Sequence, residues 1–183
     1  STVRVIALSG YGDIGRNMTI IETKDDMIII DVGVMFSDPL HPGVDLIISD
    51  YAYVAERVAK LRGVFFTHGH EDHIGGAPFF LGEIAQMLEE TVPFYGLPLT
   101  RSLLSEKIKE HGLTDYVDVI ATQSGDVIEV GNLEVEFFSV AHSTTGPMVR
   151  KFCSFFCCTL FNSLARPALE AFRRELRLCI AFV

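Results

Sequence analysis

The stretch Thr67-His68-Gly69-His70-Glu71-Asp72-His73-Ile74-Gly75-Gly76 decides how this chain is read. Three histidines and two carboxylates fall within six residues, in a chain with only six histidines. The run before it, Gly63-Val64-Phe65-Phe66, is apolar and strand-like. After it, Gly75-Gly76 permits a tight turn into an apolar helical pattern that starts at Ala77. The cluster therefore sits on a strand-to-helix loop, where a rigid scaffold aims side chains at one point. His68 and His70, two residues apart, can converge on one cation. Asp72 and His73 leave the turn in another direction and suit a second cation close by. Imidazole nitrogen with carboxylate oxygen is the ligand mix of catalytic zinc and related divalent ions.

Upstream, Val3 to Leu8 alternates as a strand, and Gly10-Tyr11-Gly12-Asp13-Ile14-Gly15 fits the G-x-G-x-x-G pattern. A dinucleotide site needs a helix after those glycines, with its N-terminus on the pyrophosphate. Asn17 to Thr23 is strand-like instead, Asp25-Asp26 turns, and Met27 to Ile30 is a second strand, so the unit reads as a hairpin. Asp31 ends that strand either as a capped turn residue or as part of a site. Residues Phe36 to Val44 form a loop, in which His41 reads as solvated. A short strand spans Asp45 to Ser49. A helix is expected over Ala52 to Leu61, with Asp50 as N-cap.

Downstream, Ala77 to Glu90 has apolar residues at helical spacing (Phe80, Leu81, Ile84, Met87, Leu88), which makes them core. Val92 to Tyr95 is a strand and Leu99 to Glu110 a helix, closed by His111-Gly112. Strands follow at Tyr116 to Ala121, Val127 to Val130 and Leu133 to Val140. The last ends at Ala141-His142-Ser143. A histidine at a strand end repeats the setting of His68, so His142 becomes the natural third nitrogen for the His68–His70 cation.

The 183 residues are 49% hydrophobic, enough for one sizeable core. A formal net charge of −9 argues against nonspecific nucleic-acid binding over the whole surface. It leaves room for a local basic channel or for metal ions that receive phosphate. No signal peptide or membrane-length apolar run is apparent. The chain opens on Ser1, which is compatible with an upstream start or with processing. All four cysteines (Cys153, Cys157, Cys158, Cys179) lie near the end. Their spacing is a poor zinc ribbon, and the rest reads as cytosolic. From about Pro147 the period is lost, acid is scarce, and base outnumbers it. Pro167 to Val183 has the pattern of an amphipathic helix.

The order of hairpin, aspartate-ended strand, H-x-H-x-D-H and strand-end histidine resembles the metallo-β-lactamase fold, an α/β, αβ/βα sandwich. Within it the sequence is most similar to the ribonuclease J family of the β-CASP group. The residues that carry this are Gly10 to Thr19, Ile29 to Phe36, Gly43 to Ile47, Val64 to Gly76, and Val140 to Ser143. The H-x-H-x-D-H motif alone marks only the superfamily; the glycine-rich opening narrows it. The resemblance implies a zinc- or manganese-dependent RNA phosphodiesterase, often homo-oligomeric, that cuts RNA internally and from the 5′ end in the cytoplasm. His68, His70 and His142 would hold one ion, and Asp72 and His73 part of a second. Asp72 would also orient the attacking hydroxide, with Asp31 steering ligand rings from behind.

The family continues past its strand-end histidine to a Thr-Gly-Asp-like turn bridging both metals, an inserted domain, and later histidines. Here no histidine or aspartate follows His142. Residues 1–146 are therefore expected to be the N-terminal half of the metallo-β-lactamase domain. Residues 147–183 are expected to be a tail outside the family pattern, from a shifted reading frame or from divergence. As written, the chain should hold at most one metal tightly and cleave RNA poorly. Two alternatives are another hydrolase of this fold, acting on a thioester, lactone or lactam, and a noncatalytic metal-binding fragment.

Overall fold

The computed structural model describes residues 2–12, 15–37, 42–139 and 177–182. Its strands are β1 Arg4–Ser9, β2 Met18–Glu22, β3 Met27–Ile30, β4 Met35–Phe36, β5 Leu46–Ile47, β6 Leu61–Phe65, β7 Val92–Gly96, β8 Val117–Ala121, β9 Val127–Val130, β10 Leu133–Ser139 and β11 Arg177–Phe182. The helices are α1 Ala52–Ala55, α2 Glu71–Ile74, α3 Ala77–Ile84 and α4 Pro98–Glu110.

A six-stranded sheet runs β1-β2-β3-β6-β7-β8. Strands β1, β2 and β3 pair antiparallel, while β3, β6, β7 and β8 pair parallel. Parallel neighbours need a crossover, and α3 and α4 supply two of them. The strand after Gly15 pairs as a hairpin arm, so the glycine loop has none of the helix that dinucleotide binding requires.

Period-two alternation sets the layers. On β3, Met27 and Ile29 join a core with Val54, Phe80, Leu81, Ile84, Leu104 and Ile108 of the helices. Ile28 and Ile30 point the other way, into a second core with Val130, Leu133, Val135 and Phe137. That second core lies between the large sheet and a three-stranded sheet ordered β11-β10-β9. Phe65 stacks on Tyr95 there, with ring centroids 4.8 Å apart. Fully burying one such side chain is worth about 1.5–3 kcal/mol. The result is the helix, sheet, sheet half of the expected sandwich.

Several boundaries differ from the sequence reading. The helix expected over Ala52 to Leu61 is one turn, α1, followed by a 3₁₀ turn at Val58–Lys60. Leu61 belongs to β6 because it pairs with Met27 in the parallel ladder. Tyr51 rather than Asp50 is the N-cap, and Asp50, one residue earlier, accepts from Ala52 N through Oδ1 at 2.9 Å. The helix from Ala77 stops at Ile84, then tightens to 3₁₀ at Ala85–Met87, and Met87 is exposed rather than core. The helix expected over Pro167 to Val183 is replaced at Arg177–Phe182 by β11, which pairs parallel with β10. A short apolar run is ambiguous between the two states, and the unpaired edge of β10 decides for strand. His41, Val140 and His142 lie outside the described residues.

At the end of the sheet away from Asp31, two carboxylates tie the layers together. Buried Glu22 accepts from Tyr53 Oη at 2.7 Å, Lys60 Nζ at 3.0 Å and Arg4 at 2.7 Å. Asp26 accepts from Arg62 Nε at 2.6 Å and from Asn132 N, in the β9–β10 turn, at 2.9 Å. Burial opposes the charge on each. For Glu22, the hydrogen bonds from Tyr53 and Lys60 with nearby positive charge outweigh it, and the pKa falls. For Asp26, the Arg62 and Asn132 bonds do the same. The unfolded chain takes up these protons near about pH 3.9–4.3, the folded chain only below that. Their stabilisation is full above the unfolded values and drains as pH falls through the lowered ones. Thermal melts from neutral pH downward should hold steady and then fall steeply below about pH 4, with Glu22→Gln blunting the fall. A melting temperature insensitive to acid would contradict this role.

Candidate metal centre

The parallel strands β3 and β6 end side by side, and both deliver polar residues from their carboxyl ends, the usual position of a site in such sheets. From β3 comes Asp31, at φ 60° and 2% exposed. Asparagine and aspartate tolerate that left-handed backbone better than most residues. Its carboxylate accepts from Thr67 N at 2.8 Å, Thr67 Oγ1 at 2.8 Å and His73 Nδ1 at 2.7 Å. The sequence left Asp31 open between turn residue and site residue. The structure puts it directly behind the histidine loop.

Backbone hydrogen bonds weld that loop to two distant segments. Val32 N donates to His73 O at 2.8 Å, Val34 N to Glu71 O at 3.1 Å, and Gly76 N to Val32 O at 2.9 Å. Asn17 N donates to Asp72 O, and Gly33 N to Asn17 O, each at 3.0 Å. Gly33 has no room for more than hydrogen: an added Cβ would lie 1.7 Å from Asp72 O. On the other flank, α4 supports the loop. A Cβ on Gly69 would meet Leu103 at 2.7 Å, and Lys107 Nζ reaches Glu71 Oε1 at 2.7 Å.

His68 and His73 are buried, His70 is exposed, and Asp72 is half-buried. The His68 ring centroid is 4.6 Å from that of His70 and 4.1 Å from that of His73. His68 Nε2 lies 3.0 Å from His70 Nδ1, and His73 Nε2 lies 3.4 Å from Asp72 Oδ2. Two donors on one tetrahedral ion at about 2.0–2.1 Å stand about 3.4 Å apart, so both pairs fit a cation in chemistry, the Asp72–His73 pair also in spacing, and the His68–His70 pair is tighter at 3.0 Å. Among the described residues, no group of three or more His, Cys, Asp or Glu side chains meets the geometry of a metal site. The loop thus offers two pairs, and the proposed third nitrogen, His142, lies outside the described residues. Burial opposes protonation of His73, but the Asp31 hydrogen bond and the charges of Asp31 and Asp72 win, so its pKa is raised.

The profile of the metallo-beta-lactamase superfamily matches residues 11–149. The chain belongs to that superfamily. Ribonuclease J2 of Bacillus subtilis is 38% identical over 141 residues, covering 77% of this chain and 24% of that protein. Ribonuclease J of Mycobacterium tuberculosis is 41% identical over 143 residues, covering 78% and 24%. The resemblance to ribonuclease J therefore stands, and the chain spans about a quarter of the length of these relatives. The structure of the metallo-beta-lactamase fold protein YhfI from Bacillus subtilis aligns with a TM-score of 0.48 at 23% identity, over 72% of this chain and 50% of that one. No helix among the described residues is long and apolar enough to cross a membrane.

Sequence reasoning proposed His68, His70, Asp72 and His73 as ligands, and the structure places them near one another on one loop. It missed three residues whose side chains contact this loop or its histidines: Asn17, Thr67 and Lys107. Thr67 Oγ1 lies 3.0 Å from His68 Nδ1 as well as bonding Asp31. Asn17 and Lys107 reach the loop from 55 and 36 residues away in sequence. No local pattern signals contacts of that range.

Proposed function

We propose that this chain carries the metal-binding half of a ribonuclease J-like RNA phosphodiesterase. The observation that carries this reading is the pairing of His68 with His70 and of Asp72 with His73 on one loop backed by Asp31, in a chain similar to ribonuclease J. His68, His70 and His142 would hold one divalent ion, zinc or manganese, and Asp72 and His73 part of a second. Bound there, the ions would supply Lewis acidity and a nucleophile at neutral pH.

The chain's own residues would do the rest. Asp31 holds the His73 Nδ1 proton, which leaves Nε2 as the nitrogen with a free lone pair. Thr67 Oγ1 does the corresponding service at His68 Nδ1, and His68 presents Nε2 toward His70. The Asp72 carboxylate, with 35% of its side chain exposed, would accept a proton from the attacking water and orient it. The proposal extends to RNA as substrate, internal and 5′-end cleavage, homo-oligomers and a cytoplasmic setting, and the ribonuclease J likeness is its support. The proposed division into family residues 1–146 and a tail at 147–183 rests on the change in sequence character near Pro147.

In these 183 residues no aspartate or histidine follows His142, so the second ion would be short of ligands. Zinc titrated into the purified 183-residue chain should reveal one tight site, with RNA cleavage far below that of an intact relative. Two tight sites, or brisk cleavage, would overturn the proposed ligand shortage. Absence of any zinc binding would overturn the metal reading itself.

A further inference from the structure

We propose that Asn17 is a positioning residue that keeps Asp72 Oδ2 and His73 Nε2 turned toward a shared point. This rests on reading the Asp72–His73 pair as metal ligands. Asn17 is pinned by its backbone, its N–H donating to Asp72 O and its carbonyl accepting from Gly33 N, both at 3.0 Å. Its side-chain Nδ2 stands 3.0 Å from Asp72 O, 3.3 Å from Asp72 Oδ2 and 3.3 Å from His73 Nε2.

The chemistry of these neighbours fixes the orientation of the amide. A carbonyl oxygen and an ionised carboxylate only accept, so the NH₂ end faces them and not the amide oxygen. His73 Nε2 faces the same NH₂, an arrangement that fits Nε2 as an acceptor. Its other nitrogen, 2.7 Å from Asp31 Oδ2, is the donor. Asp31 from behind and Asn17 from in front thus select one tautomer, Nδ1–H, with the Nε2 lone pair beside the carboxylate. The glycine loop holds the amide in place: a Cβ on Gly10, at φ 86°, would sit 2.7 Å from Asn17 Oδ1. Gly10 allows the loop to close on the amide, and the closed loop leaves that oxygen little freedom to swing.

Without Asn17, the half-exposed Asp72 carboxylate would turn to water and the imidazole would lose its front partner. Two readouts on the metal-free and zinc-titrated 183-residue chain test this. In ¹⁵N spectra of the metal-free chain at about pH 8.5, above the ordinary imidazole range, His73 should be the Nδ1–H tautomer. In Asn17→Ala it should become a mixture with Nε2–H, and zinc affinity against a chromophoric chelator should drop by about 10–100-fold, the usual effect of losing an outer-shell partner. A wild-type Nε2–H tautomer would overturn the proposal. So would an Asn17→Ala chain with unchanged tautomer and unchanged or tighter zinc binding. If Asn17→Ala fails to fold, the wild-type tautomer decides. If the wild type binds no zinc, the metal reading fails while the tautomer comparison still judges Asn17.

Discussion

Gly33→Ala is expected to abolish zinc binding and to cost more than about 4 kcal/mol of stability, the range reserved for severe single lesions. The added methyl would sit 1.7 Å from Asp72 O, 2.2 Å from Asp72 C and 2.9 Å from Asn17 N. All three are backbone atoms, so no rotamer change relieves the overlap. The chain must part along the seam where Val32, Gly33 and Val34 bond to His73, Asn17 and Glu71. Domains of this size have about 5–15 kcal/mol in total, so a melting temperature lowered by tens of degrees, or insoluble protein, is the expected result. Gly82→Ala is the control. It lies in α3, and its Cβ would meet nothing nearer than Leu113 at 3.8 Å. It should stabilise the helix by about 0.5–1 kcal/mol. Equal melting temperatures for Gly33→Ala and wild type would refute the account of the seam.

The second large effect is at Asp31. In Asp31→Ala, Thr67 N, Thr67 Oγ1 and His73 Nδ1 lose their acceptor in a buried setting. Each stranded donor costs about 1–3 kcal/mol, and alanine at φ 60° adds about 1–2 kcal/mol of backbone strain. A loss of about 4 kcal/mol or more in denaturant melts follows from these terms. Asp31→Asn separates stability from chemistry. It keeps the size and the tolerance for left-handed backbone, and its oxygen can still accept from Thr67 N. Its NH₂ would then face His73 Nδ1, forcing that nitrogen to accept and moving the proton to Nε2, the proposed ligand atom. Folded Asp31→Asn should therefore bind zinc about 10–100-fold more weakly. Zinc affinity equal to wild type would show that Asp31 supports only the fold.

Much of this was legible in the chain itself. The cluster of His68, His70, Asp72 and His73 after an apolar strand reads as a strand-to-helix loop, and it lies between β6 and α3, because such loops are short-range features. The unbroken apolar run Met27 to Ile30 reads as a strand, and the structure buries it on both faces. The strand-like Asn17 to Thr23 ruled out a dinucleotide site despite the glycine pattern. What escaped was decided by distant partners. Leu61 left its expected helix for the ladder with Met27. Residues 177–182 joined β10 instead of coiling, and Met87 turned outward. Asn17 matters to the site because β2 carries it to Asp72, and nothing in its immediate neighbours records that.

The hydrogen-bonded seam bears on any attempt to graft this centre onto another scaffold. A peptide copied from residues 63–76 would carry the four proposed ligand side chains and Thr67, but neither Asn17 nor Asp31, which brace them from outside the loop. Asn17, the Asp31–Val34 turn and the histidine loop come from three separate parts of the chain and meet only once β2, β3 and β6 lie side by side. A transplant would have to carry all three pieces, in their relative places, to reproduce the aim of the side chains within the fraction of an ångström that such sites need.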